Sequence, residues 1–180
     1  MKQLIRIFLL IICLSSNGVI EAYDFQVNGI YYNKISENEV EVTYNSLSPI
    51  IPRTYKGDII IPTSVSYNDN SYIVTAIGKS AFDGCGHNVK SVTMPNTISK
   101  IDDSAFQSLW DITSIKIPES VISIGDEAFS DCQNIVLIEI PTNVISIGDG
   151  AFDNCLKLQQ AVLHNSLKSI GNSDFLDVNN

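Results

Sequence analysis

The sequence predicts a strand-rich α/β chain wound as a right-handed solenoid of about five rungs, with a small N-terminal β-hairpin cap. Three observations carry this expectation. First, a phrase returns at a fixed period. Ser123-Ile124-Gly125-Asp126-Glu127-Ala128-Phe129 becomes Ser146-Ile147-Gly148-Asp149-Gly150-Ala151-Phe152, and phenylalanines at 82, 106, 129, 152 and 175 give steps of 24, 23, 23 and 23. Second, proline closes each strand-like run, at Pro62, Pro95, Pro118 and Pro141. Third, all seven tyrosines lie between Tyr23 and Tyr72, ahead of the regular repeats, which marks a boundary. A fixed period in this range means stacked units that bury apolar side chains only against their neighbours.

The chain opens with a processing signal over residues 1–22. Lys2 and Arg6 form a basic start, Ile7 to Leu14 form an apolar stretch too short to span a bilayer, and Ala22 offers a small residue for cleavage. An uncleaved anchor and lipidation at Cys13 are the competing readings, and Ile12 is large for the residue before a lipidated cysteine. Export to the medium or the cell surface follows. Removing Lys2, Arg6 and Glu21 from 11 basic and 20 acidic residues leaves a net charge of −10. An acidic chain of this kind lacks the basic footprint that nucleic acid and anionic membranes require. No second apolar stretch is long enough to cross a membrane after processing.

Residues 23–58 read as a β cap. Phe25 and Val27 alternate into Asn28-Gly29, the strongest short hairpin turn, and Ile30 and Tyr32 continue beyond it. A second turn at Ser36-Glu37-Asn38 leads into Val40, Val42 and Tyr44, and Ser48-Pro49 and Pro52 make an extended loop. Repeats occupy 59–180, beginning at Ile59-Ile60-Ile61-Pro62. The step from Pro62 to Pro95 is ten residues too long, which fits a hairpin inserted near 65–74.

Within a repeat, Ile112, Ile115 and Ile117 are apolar, as are Ile135, Ile138 and Ile140, and Val89, Val92 and Met94. Their last two positions alternate as a strand should, and proline, lacking an N–H, ends the ladder. In the second extended piece Val121 and Ile124 face inward. Glycine at 78, 125, 148 and 171 then permits a sharp or positive-φ turn, with Asp102 in the same column. Ala-Phe begins a short helical or 3₁₀ turn, and phenylalanine fills the centre. Cys85, Cys132 and Cys155 share a column with Leu109, so they are buried thiols rather than bridges or metal ligands.

The stretch Ile112-Thr113-Ser114-Ile115-Lys116-Ile117-Pro118-Glu119-Ser120-Val121-Ile122-Ser123-Ile124-Gly125-Asp126-Glu127-Ala128-Phe129-Ser130-Asp131-Cys132 resembles the repeat of the BspA-like leucine-rich repeat family. The likeness covers about residues 74–176. It implies a leucine-rich-repeat solenoid in a secreted or surface protein, with adhesion to host proteins or other cells known among relatives. It implies no catalytic residues and no cofactor.

The repeat register names the outward side chains. One strand-face column is Ser91, Ser114, Leu137 and Gln160; the next is Thr93, Lys116, Glu139 and Val162. Lys116 and Glu139 are neighbours placed to pair, and Leu137 and Val162 are apolar where alternation predicts exposure. Trp110, the single tryptophan, sits at a variable position and either anchors a partner or packs on a loop. The column Asp103, Asp126, Asp149 is either a solvated turn bonding backbone amides or a set of oxygen ligands for a cation. His87 and His164 show no carboxylate or thiol partner and no metal spacing, and no P-loop, nucleophile elbow or zinc-protease motif occurs. The expected function is a non-enzymatic module binding a protein or glycan, such as host matrix or another cell surface, through the strand face and loops. The rival is self-association through an uncapped C-terminal rung at Phe175, Leu176 and Val178.

Overall fold

The structure, a computed structural model, describes residues 22–45 and 55–172. The expected signal segment up to residue 21, the expected loop at Ser48 to Pro52, and the expected association edge at Phe175, Leu176 and Val178 lie outside the described residues.

The strands are β1 (Phe25–Val27), β2 (Ile30–Lys34), β3 (Glu39–Thr43), β4 (Gly57–Ile60), β5 (Ser64–Tyr67), β6 (Asn70–Ile77), β7 (Val89–Thr93), β8 (Lys100–Ile101), β9 (Ser123–Ile124), β10 (Leu137–Glu139), β11 (Ser146–Ile147), β12 (Gln160–Val162) and β13 (Ser169–Ile170). The largest sheet runs β1-β2-β3-β6-β8-β9-β11-β13, with β5 paired to β6. Its first pairs, β1–β2 and β2–β3, are antiparallel; from β3–β6 onward the order continues parallel. Asn28-Gly29 and Asn68-Asp69 turn the β1–β2 and β5–β6 hairpins, all four with positive φ. That is the geometry short hairpins favour. On the opposite face lie two parallel pairs, β4–β7 and β10–β12.

The apolar columns close on one another between these faces. Phe82, Phe106, Phe129 and Phe152 stack with centroids 5.2, 5.2 and 5.4 Å apart. That spacing is slightly above the ~4.8 Å of adjacent strands. Tyr55 starts the ladder 4.6 Å from Phe82, and its hydroxyl donates to the Thr43 carbonyl at 2.6 Å. Each phenylalanine is fully buried, as are the isoleucines and valines at the inward positions. Each contributes about 1.5–3 kcal/mol only while the windings on either side are present.

Two sequence expectations are corrected here. The helical turn after each glycine does not form; among the described residues there is no helix. The N–H groups of Phe82, Phe106 and Phe129 donate instead to Ala105, Ala128 and Ala151 carbonyls of the next winding, each at 2.8 Å. Two left-handed residues per winding also break any helix. One column is Ser80, Ser104, Glu127 and Gly150, the other Gly84, Ser108, Asp131 and Asn154.

The repeat glycines are the second correction. Gly78, Gly125, Gly148 and Gly171 are absent from the positive-φ positions. Gly125, Gly148 and Gly171 are needed because backbones approach closely, and at Gly78 the Glu41 carboxylate lies over the site. A Cβ on Gly125 would lie 2.6 Å from the Asp103 nitrogen and 2.7 Å from the Asp102 carbonyl carbon of the winding below. Asp102 is accommodated in the same column, its carboxylate accepting the Asp103 N–H at 2.9 Å and facing Lys100 at 2.8 Å.

Candidate functional site

The face carrying β7, β10 and β12 presents the predicted outward columns. Pairing sets Leu137 against Gln160 and Glu139 against Val162. Ser114, Lys116, Leu137, Glu139 and Val162 line one groove of about 560 Å³, with His164 and Pro141 at its proline-side margin. Its floor is the buried Ile115, Ile117 and Ile140. Leu137 is 41% exposed. Lys116 and Glu139 line the same groove, yet no ion pair joins them among the described residues, contrary to the sequence expectation.

Ser91 and Thr93 lie outside this groove, on β7 against β4, where Ser91 Oγ donates to Asp58 Oδ1 at 2.6 Å. Gln160 is exposed at the end of its column. Sequence reasoning missed Ile60, the most exposed large apolar residue among the described residues at 72%. It pairs with Thr93 and so heads the column of Lys116, Glu139 and Val162. The match of Ile59-Ile60-Ile61-Pro62 to later strand ends was the signal that places it there.

Trp110 does not line the groove and lies on the turn that precedes residues 112–117. Its ring covers Gly86, where an added Cβ would meet the indole at 3.1 Å, and it lies 4.9 Å from the His87 ring. His87 has a carboxylate partner that the sequence did not reveal. Its Nδ1 is 2.6 Å from Asp111 Oδ1, and Lys90 Nζ binds the other oxygen of the same group. Lys90 and then His87 hold the Asp111 carboxyl below its usual range. This staple spans the winding that carries the additional residue at Gly86-His87-Asn88.

The aspartate column proves to be a ladder. The Asp126 N–H donates to Asp103 Oδ1 at 3.2 Å, the Asp149 N–H to Asp126 Oδ1 at 2.8 Å, and the Asn172 N–H to Asp149 Oδ1 at 2.7 Å. Among the described residues no group of three His, Cys, Asp or Glu side chains is placed to hold a metal ion. The cysteine column plays a similar part inside. Cys132 Sγ donates to the Phe106 carbonyl at 3.2 Å and Cys155 Sγ to that of Phe129 at 3.3 Å. All three described cysteines are buried thiols outside any disulfide. Burial pushes the Cys132 thiol up and the Cys155 thiol up to about 12.

The model of the BspA type leucine rich repeat region matches residues 58–180 in six copies. No curated protein matches the sequence. Among solved structures, a leucine-rich repeat protein from Bacteroides ovatus is 31% identical with a TM-score of 0.61, over 87% of this chain and 45% of that one. The pneumococcal vaccine antigen PcpA is 24% identical with a TM-score of 0.64, over 84% of this chain and 41% of that one. A leucine rich repeat protein of T. pallidum is 20% identical with a TM-score of 0.56, over 82% of this chain and 81% of that one. The last two likenesses show the fold alone. The chain spans less than half the length of the B. ovatus and pneumococcal structures. No enzymatic family is indicated by any of these matches.

Proposed function

The chain belongs to the BspA-type leucine-rich repeat family, and on that premise we propose that it is an exported, non-enzymatic module that binds a protein or glycan. Ser91, Thr93, Ser114, Lys116, Leu137, Glu139, Gln160 and Val162 form its binding face, with Trp110 on the flanking turn. The supporting observation is the groove that Lys116 and Glu139 line together with the apolar Leu137 and Val162. A patch that joins solvent-facing apolar groups to free charges is the usual form of an association surface.

The scaffold in this reading is a right-handed solenoid of about five rungs over residues 59–180. Residues 23–58 form its N-terminal cap, and the hairpin at 65–74 is an insertion. The place of β1–β3 at the head of the parallel series supports the cap. Residues 1–22 direct export, to the medium or the cell surface.

The test is binding of the purified chain to immobilised matrix proteins and to a glycan array, beside a Leu137→Asp/Val162→Asp variant. Binding to at least one surface and a loss of about tenfold or more in the variant is expected, equivalent to ~1.4 kcal/mol. Equal binding by both chains, or none by either, overturns the reading.

End-to-end association through Phe175, Leu176 and Val178 is the second reading. It draws on the exposed Leu163 and Ile170 in the last described winding. Light scattering that finds a monomer at all concentrations removes it.

A further inference from the structure

The strand ladder on the binding face is interrupted at one winding. β4 pairs β7 and β10 pairs β12, but residues 112–117 between them form no strand. Among the described residues no hydrogen bond reaches the peptide N–H or C=O groups of Ser114, Ile115, Lys116 or Ile117. A single long main-chain bond, Val136 N–H to the Thr113 carbonyl at 3.4 Å, ties this stretch to the next winding, and side chains bridge only at its ends, Asn134 Nδ2 to the Trp110 carbonyl and Asn143 Nδ2 to that of Glu119 at 2.7 Å. The neighbouring ladders are tight: Ile61 N–H donates to Thr93 at 3.0 Å, and Ile140 N–H to Val162 at 3.0 Å. The opening is confined to this face. On the other side the same winding is bonded normally, with Ile122 N–H to Ser99 at 2.8 Å and Ser120 Oγ to Ile98 at 2.6 Å.

Peptide groups without a protein partner must be satisfied by water or by an occupant. Here they lie where the groove opens, over Ser114, Ile115, Lys116 and Ile117. The groove offers Leu137 and Val162 as apolar contacts, Lys116 as a positive charge, and Glu139 and Glu119 as negative ones. No phenylalanine, tyrosine or tryptophan lines it, so it lacks the aromatic platform on which a sugar ring would stack. Main-chain donors and acceptors beside apolar contacts and charges of both signs are the chemistry that recognises extended polypeptide.

We propose that this groove takes an extended peptide segment of a protein partner. The segment's main chain bonds the unpaired peptide groups of residues 114–117. An apolar side chain rests on Leu137 and Val162, with an acidic residue toward Lys116 and a basic one toward Glu139. The proposal rests on the reading that this face binds a partner, and it narrows protein or glycan to polypeptide.

The test selects linear peptides displayed on phage against the purified chain. Recovered peptides are measured by fluorescence polarisation and by amide hydrogen exchange. In the free chain, the amides of Ser114 to Ile117 exchange quickly, unlike those of β7 and β10. Recovered peptides carry an apolar residue between an acid and a base and slow exchange at 114–117. They lose about tenfold in affinity to Leu137→Asp and keep it in Lys79→Ala, a position whose side chain pairs with Asp103 outside the groove. Selection on Lys116→Glu recovers peptides with a base in place of the acid, a readout that does not depend on the fold of Leu137→Asp. Protected amides at 114–117 in the free chain, no recovered peptide, or peptides that leave those amides unchanged overturn the proposal. A protein or glycan ligand that is lost in Leu137→Asp without slowing those amides overturns the peptide dock while the binding face survives.

Discussion

Glu127 and Gly150 occupy the same place in successive windings, with φ of 54° and 61°. An L-residue in this left-handed region costs about 1–2 kcal/mol. Glycine escapes that cost but gives back about 0.5–1 kcal/mol through the freedom of its unfolded chain. Glu127→Gly is therefore expected to stabilise the protein by about 0.5–1 kcal/mol. Gly150→Ala should destabilise it by a similar amount. Its new Cβ would meet Asp153 no closer than 3.6 Å and Glu127 no closer than 3.7 Å, so the backbone alone decides. For a chain of this size 1 kcal/mol moves the melting point by about 2–4 °C. The assay is urea unfolding followed by circular dichroism, reading midpoint shifts of opposite sign at an unchanged slope. Glu127→Ala is the control: it removes the 3.0 Å bond from Gln107 Nε2 to Glu127 Oε2 and leaves the strain in place. Two shifts of the same sign, or a Glu127→Gly midpoint below that of Glu127→Ala, would refute the argument.

Gly125→Ala should cost about 1–3 kcal/mol, because the atoms its Cβ meets are backbone of the adjoining winding; an unchanged thermal midpoint would show that the windings part freely. The Tyr32 hydroxyl is buried with no hydrogen-bond partner among the described residues, so Tyr32→Phe should raise stability by about 1 kcal/mol, measured by the urea midpoint; a loss would reveal a hidden partner. Cys132 and Cys155, the latter with its thiol pushed up to about 12, should resist Ellman's reagent at mildly alkaline pH until denaturant is added; peptide mapping that finds either labelled in the native chain contradicts their burial. Burial raises the Glu41 carboxyl, so folding favours its neutral form. The stability it contributes is complete below its unfolded pKa and is lost as pH rises through the folded one. Glu41→Gln should therefore melt higher than the parent at neutral pH, with the gap closing as pH falls toward the carboxylate range; a gap that does not vary with pH discounts the desolvation of Glu41.

Much of this architecture is written in the spacing. The isoleucine, valine, cysteine and phenylalanine columns are buried where their period put them, because an inward position admits only apolar side chains. The glycines were legible as positions and misread as to cause. A one-dimensional pattern does not distinguish a residue chosen for its φ from one chosen because another strand passes overhead. The left-handed positions were illegible, since Ser104, Glu127, Asp131 and Asn154 look like ordinary surface. The expected helical turn failed for a related reason: local propensity at Ala-Phe lost to amide bonds between windings. At the binding face, the outward columns could be read from alternation. The gap beside Ser114–Ile117 could not, because it depends on distances between windings rather than on the order of residues within one. It adjoins the winding lengthened at Gly86-His87-Asn88.

The aspartate ladder has an evolutionary consequence. Asp103, Asp126 and Asp149 each hand a carboxylate oxygen to the amide 23 residues onward. The giving and receiving ends of a unit are thus interchangeable between copies. A gene segment encoding one such unit can be duplicated or excised, and the flanking units meet the same bonding partners as before. Lengthening the array by recombination needs no compensating change at the seams, whereas an insertion of another size between a carboxylate and its amide changes the one bond that spans it and leaves the later pairs in step.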